Sequence, residues 1–154
     1  MEPGAVKTVK ISIKRSPGAE DLGLPAYQTA GASGLDLLAD IPGELILRPG
    51  EIKLIPTGVS VKIPEGYEAQ IRPRSGLALK HGITMVNTPG TIDSDYCGVI
   101  SLIVINLGPE PYTVKRGARM AQMVIHEVVR AELEEVEELQ DTARSSGGFG
   151  HTGV

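Results

Sequence analysis

The chain has 154 residues, 41% of them hydrophobic, which suits one domain with a sizeable core. Its formal charge of −4 argues against the basic face that general nucleic-acid binding needs. The longest apolar run, ISLIVINL, is too short to span a bilayer, and the single cysteine, Cys97, excludes an internal disulfide. The N-terminus MEPGAVKTVKISIKR carries lysines but no apolar signal-peptide core, so a cytoplasmic chain is expected, with a nuclear or organellar site open if the source is eukaryotic. With 19 glycines, 11 prolines and an apolar set dominated by Val, Ile and Leu, the composition favours short strands joined by tight turns.

In chain order, Val6 to Lys14 alternates apolar with basic or polar residues and predicts a half-buried strand. SPGAEDLGLPAYQTA is a Pro/Gly loop, and GASGLDLLAD then places Asp36 between Leu35 and Leu37, as either a strand-end cap or a ligand. Turn signals follow at Pro42-Gly43, Pro49-Gly50, Pro56-Thr57-Gly58 and Pro64-Glu65-Gly66. Short strands between regularly spaced turns are the pattern of a sandwich or closed barrel. The one convincing helix is Ser75 to His81, with Ser75 as its cap and Gly82 as its stop. Arg72 and Arg74 precede it, and guanidinium groups beside free backbone N–H groups and a hydroxyl make an anion site, most naturally for phosphate. The alternative is a capped helix with two surface arginines.

Asn87 to Ile100, NTPGTIDSDYCGVI, predicts a β-hairpin around a tight Thr88-Pro89-Gly90-Thr91 turn, with proline presetting φ at the second position and glycine taking a positive φ at the third. Asp93 and Asp95, two apart on a strand, would share one face beside Tyr96. Aspartate is a poor strand former, so the pair marks either a site or a solvated edge. Two more strands follow, and in the second of them Gln122 interrupts ARMAQMVI, as structural glue or as a ligand contact. RAELEEVEEL is acidic and could finish a strand or form a short helical turn, but is most simply a solvated face. The last residues, RSSGGFGHTGV, form a Gly-rich strip that holds the only phenylalanine, Phe149, and Arg144. Such a strip can bring N–H groups to phosphate oxygens, and its aromatic ring can stack on a base; the alternative is a disordered terminus. His81, His126 and His151 are scattered and no CxxC or HExxH spacing occurs, so a metal would be held largely by substrate oxygens, the habit of magnesium with phosphates. Cys97 lacks a neighbouring histidine and reads as an ordinary packed thiol.

Five motifs in order, AGASGLDL (30–37), PRSGLALKHGI (73–83), NTPGTIDSDYCG (87–98), RGARMAQMVI (116–125) and RSSGGFGHTG (144–153), make the chain resemble the trimeric dUTP pyrophosphatases, the dUTPases, over nearly its whole length. The resemblance implies an all-β class, a β-jelly roll of the dUTPase-like β-clip type with one short helix, assembled as a homotrimer with shared sites. It implies a jelly-roll domain over 1–143 and a Gly-rich arm over 144–154 that completes a neighbouring subunit's site. Because the chain ends directly after the fifth motif, no further C-terminal domain is expected. Departures are small: Ser33 stands where many relatives have alanine, and Cys97 fills a freely varied place.

Carried onto this sequence, the resemblance puts Asp36 near Mg²⁺, acting mainly through the ion's waters. Arg74, Ser75 and Gly76 would contact the α/β-phosphates, and Gln122 would hold phosphates or ordered waters. Asn87 and the hairpin backbone at Gly90, Thr91 and Ile92 would read uracil. Asp93 would be the general base, with Tyr96 against the deoxyribose. Arg144, Gly147, Gly148 and Gly150 would wrap the γ-phosphate with His151 and Thr152 nearby, while Phe149 stacks on uracil. The implied reaction is hydrolysis of dUTP to dUMP and pyrophosphate with Mg²⁺ as cofactor, limiting uracil in DNA and supplying dUMP for thymidylate synthesis. Nucleic acid and membrane are not expected partners. Rival readings are a dCTP deaminase, which needs a glutamate base that DSDYCGVI lacks, and a non-catalytic nucleotide-sensing or protein-binding trimer, whose expected sign is a broken motif.

Overall fold

Strands β1 (Ser12–Arg15), β2 (Leu35–Leu38), β3 (Glu44–Leu47), β4 (Ile52–Lys62) and β5 (Tyr67–Pro73) lead to helix α1 (Ser75–His81). Strands β6 (Ile83–Met85), β7 (Gly90–Ile92), β8 (Val99–Asn106), β9 (Tyr112–Lys115) and β10 (Arg119–Glu127) complete the computed structural model, which describes residues 7–142 and 145–147. They form two four-stranded sheets, in the orders β1-β4-β8-β6 and β2-β10-β5-β7, and a small β3-β9 pair. Neighbouring strands run antiparallel throughout.

Period-2 alternation sorts the residues between core and solvent. Along β8, Ile100, Leu102, Val104 and Asn106 point inward and are buried, while Ser101, Ile103 and Ile105 point away. Opposite them, Leu37, Ile71, Ala121 and Met123 of the other sheet close a single apolar cluster. Each fully buried Leu or Ile contributes about 1.5–3 kcal/mol relative to exposure. Asn106 is the polar member of this layer. Its amide donates to the carbonyls of Leu47 (2.9 Å) and Glu110 (2.8 Å), and its oxygen accepts from the Gly108 N–H (2.8 Å), so burial leaves nothing unpaired.

Turns stand as expected at Gly43, Gly50 and Gly66. Pro56-Thr57-Gly58 is different: it lies inside the continuous strand β4 as a bulge, where the register to β8 shifts between Pro56 and Ser60. Gly58 has φ 69°, and a Cβ there would meet Ala19 and Asp40 at 2.8 Å. The bulge is fastened by the Thr57 hydroxyl donating to the Ile100 carbonyl (2.8 Å).

Local signals misplace other features. The first strand is only Ser12–Arg15 and is exposed throughout, because β1 is a sheet edge paired to β4 alone. The 128–140 stretch, by contrast, is the solvated face expected: it forms neither strand nor helix and is exposed. Helix α1 has Arg74, not Ser75, at its N-cap (φ −88°, ψ 128°), with no side-chain cap bond. The Arg74 carbonyl takes the first helical N–H groups, and Ser75 is left exposed on the first turn. The expected hairpin is not one. β6 pairs with β8 and β7 pairs with β5, so the chain crosses from one sheet to the other between Val86 and Pro89. The Thr88–Pro89 peptide is cis, and Gly90 opens β7 outside the positive-φ region. Asp93 and Asp95 sit in a turn after β7, closed by the Tyr96 N–H donating to the Asp93 carbonyl (3.1 Å), so they are not a strand-face pair.

Gly82 ends α1 at φ 67° and faces Gly108, whose backbone nitrogen would lie 2.4 Å from an added Cβ. Because that neighbour is backbone, nothing can swing aside. We expect Gly82→Ala to lower unfolding free energy by at least about 2 kcal/mol in urea titration, from left-handed strain plus overpacking. Gly43→Ala, at φ 72° with open space around it, should lose only about 1 kcal/mol. Equal losses would show that the Gly82–Gly108 contact adds nothing.

Candidate active site

Asp36, Gln122 and Arg72 stand directly opposite one another across β2, β10 and β5, so their side chains share one sheet face. Asp36 is only 9% exposed. A carboxylate so buried requires compensating charge, and two arginines give it: Arg119 Nη1 lies 3.1 Å from Oδ2 and Arg74 Nε lies 3.5 Å from Oδ1. Arg74 also donates from Nη1 to the Arg119 carbonyl (3.0 Å). Gln122 donates to the Pro73 carbonyl (3.0 Å), and its Oε1 lies where a Cβ on Gly34 would be, 2.6 Å away. Ser75 and Gly76 are exposed on the first turn of α1, directly after Arg74. Two guanidinium groups, a hydroxyl and exposed backbone thus gather at one place, a surface suited to a multiply charged anion.

A second group forms around β7. Asn87, Gly90, Thr91 and Ile92 line a small cleft of about 40 Å³ with Met85 and Ser101. Gly90 leaves room for the Asn87 amide, whose Nδ2 would sit 3.2 Å from a Cβ. Asp93, next along, lines a separate open cleft of about 1120 Å³ with Lys10, Lys62, Glu68, Asp95 and Arg130. Lys62 donates to the Ser94 carbonyl (2.9 Å) and braces this turn. Tyr96 donates its hydroxyl to the Val99 carbonyl (3.1 Å) and folds over Gly98, where a Cβ would lie 2.4 Å from that oxygen. Cys97 is exposed rather than packed, because it lies on the outer side of this loop between β7 and β8.

The expected site residues therefore fall into two groups on one chain. Asp36, Arg74 and Gln122 form one, which lines neither cleft; Asn87 to Tyr96 form the other, with Asn87 and Gly90–Ile92 at the small cleft, Asp93 at the larger one and Tyr96 at neither. Gly147 is described and half-buried. Arg144, Gly148, Phe149, Gly150, His151 and Thr152 lie outside the described residues. Among the described residues no group of three or more His, Cys, Asp or Glu side chains could hold a metal ion.

Three participants escape the sequence reading: Arg119, Lys62 and Gly34. Arg119 lies three residues before Gln122, and strict alternation would turn it inward with Ala121 and Met123. A bulge between Arg119 and Ala121 reverses it. Near this corner Arg116 ties the 16–22 loop to the 39–41 corner, through Asp21 (2.6 Å), Asp40 (2.5 Å) and the Gly18 carbonyl (2.8 Å). Its hydrogen bond to Asp21 raises the guanidinium above its ordinary range and holds the Asp21 carboxyl below its own.

No helix among the described residues is long and apolar enough to cross a membrane. The dUTPase family model matches residues 20–153. A deoxyuridine 5'-triphosphate nucleotidohydrolase of Caldanaerobacter subterraneus subsp. tengcongensis is 60% identical over 147 residues, covering 96% of this chain and 99% of the relative. That of Beijerinckia indica is 58% identical over 146 residues, covering 94% and 91%. Among solved structures, a dUTPase of Staphylococcus bacteriophage 80alpha with dUpNHpp superposes at a TM-score of 0.83, 24% identity, covering 96% and 100% of the two chains. A phage phi11 dUTPase described with a structural Mg(II) ion gives 0.74 at 24% identity, covering 84% and 98%. The fold is thus the all-β jelly roll that the resemblance implied. By the match over most of its length and by its relatives, this chain belongs to the dUTPase family.

Proposed function

We propose that this chain is a dUTP diphosphatase, hydrolysing dUTP to dUMP and pyrophosphate by attack of water on the α-phosphorus. The observation that carries this is the dUTPase match over residues 20–153, joined to a site chemistry that fits it. The anion-binding group, Asp36 with Arg74 and Arg119, suits the phosphate end, with Ser75, Gly76 and Gln122 beside it. The cleft beside Asn87 and Gly90 suits the base. The separation of these groups on one chain supports a homotrimer whose sites combine residues of several copies. In that reading the body, 1–143, carries both groups and the 144–154 arm brings Arg144 and Phe149 to a neighbour.

Phosphoryl transfer asks a protein mainly for positioning and charge neutralisation. Arg74 would offset charge spreading onto the non-bridging oxygens. Asp93, exposed on its turn and without an ion pair among the described residues, would orient the water and take its proton. The donor set fits magnesium carried in on the triphosphate rather than caged by the protein, since Asp36 is the one buried carboxylate of the phosphate group. Bound there, the ion would neutralise part of the triphosphate's charge. Backbone donors and acceptors at Gly90 to Ile92 would mismatch cytosine's amino edge, which discriminates better than a methylene-sized pocket, worth only about 1–3 kcal/mol. Tyr96, fixed by its bond to Val99 and by the bare Gly98, would bar a ribose hydroxyl.

Pyrophosphate release with Mg²⁺, compared across dUTP, dCTP, dTTP and UTP, tests the reading. Release from dUTP alone is expected; ammonia from dCTP would establish a deaminase, and release from none a binding protein. Asp93→Asn should lower kcat by about 10²–10⁴-fold while the affinity for a non-hydrolysable dUTP analogue stays within about threefold. Parallel loss of both would make Asp93 structural. Tyr96→Ala should narrow the dUTP/UTP ratio of kcat/KM; an unchanged ratio would remove Tyr96 from sugar selection.

A further inference from the structure

We propose that Arg119 is a positioning residue for the phosphate end of the site, acting through Asp36 on Arg74; this rests on the dUTP reading. The strand is distorted to deliver it. Met120 and Ala121 are consecutive buried residues at the β10 bulge, and the extra residue turns Arg119 to the outer face, level with Leu38 and next to Asp36.

Once there, Arg119 meets Arg74 by two routes. Its Nη1 occupies Oδ2 of Asp36 at 3.1 Å, while Oδ1 faces Arg74 Nε at the looser distance of 3.5 Å. Its backbone carbonyl accepts from Arg74 Nη1 at 3.0 Å. Arg74 is thereby held by one hydrogen bond from Nη1 and one ion-pair contact at Nε, which orients the fork, and Nη2 has no partner among the described residues. A phosphate oxygen arriving there meets a donor already ordered, and ordering a side chain in advance strengthens the contact it makes. Arg119 also limits a competition. A carboxylate as buried as Asp36 demands a cation. With Arg119 absent, Arg74 would be the remaining cation and would close onto Asp36, withdrawing from the substrate.

A residue that acts through another loses its effect when the other is gone, whereas independent contacts add. The experiment is a double-mutant cycle in kcat/KM for dUTP with Mg²⁺, on Arg119→Met, Arg74→Met and the double variant of the full chain. We expect Arg119→Met to lose roughly 10–100-fold, Arg74→Met at least as much, and the double variant no more than about threefold beyond Arg74→Met. Arg119→Lys should recover part of the loss by keeping a cation on Asp36; it replaces the methionine variant in the cycle if that one does not fold. Losses that multiply would overturn the coupling and leave Arg119 a separate contact or a structural residue. An Arg119 variant with unchanged kcat/KM would overturn it too. If the unmodified chain released no pyrophosphate from dUTP, the parent reading would fall first, and the positioning role with it.

Discussion

Asp36 is a carboxylate placed where a charge is expensive, and much of the surrounding architecture is explained by what pairs it. A carboxylate removed from water loses solvation worth several kcal/mol unless cations replace it. Here they come from two separate segments, the start of β10 and the junction between β5 and α1. The pairing therefore ties three strands together on the polar face of one sheet, and it does so at an edge where Ser75 and Gly76 are exposed. The glycine at position 34 belongs to the same arrangement, since any side chain there would displace Gln122.

Much of this was legible in the sequence wherever the signal is local. The Gly82 helix stop and the Gly43, Gly50 and Gly66 turns are consequences of neighbouring residues, and they were predictable from neighbours. The misreadings share one cause. Whether Pro56-Thr57-Gly58 is a turn or a bulge depends on whether β8 runs alongside both halves, and whether β6 and β7 form a hairpin depends on which sheet each joins. Pairing partners lie far away in the chain, and a Pro-Gly signature serves a sheet crossing as well as a hairpin turn.

The site divides along the same line. Asp36, Arg74 and Gln122 could be picked out because an acid among leucines, an arginine before a helix and an amide among apolar residues are each locally odd. Arg119 is not odd: an arginine at the start of a strand is ordinary. Its importance comes from a one-residue bulge that reverses its direction, and bulges leave no composition signature when the extra residue is a methionine like its apolar neighbours. The same limit applies to Asp93 and Asp95, whose spacing invites a strand-face reading that the Asp93–Tyr96 turn replaces.

The chain's crossing from β6 to β7 gives the small cleft an unusual anchorage. One wall, Met85 and Ser101, belongs to the β1-β4-β8-β6 sheet, and the other, Gly90 to Ile92, belongs to its partner. The width of the cleft is therefore a direct gauge of how far apart the two sheets stand. A core substitution such as a shaved Leu37 or Val104, buried between the sheets and not lining the cleft, would alter this spacing while the secondary structure survived. Under the proposed function, discrimination among bases and the packing of the apolar interior would in that sense be a single property measured in two ways.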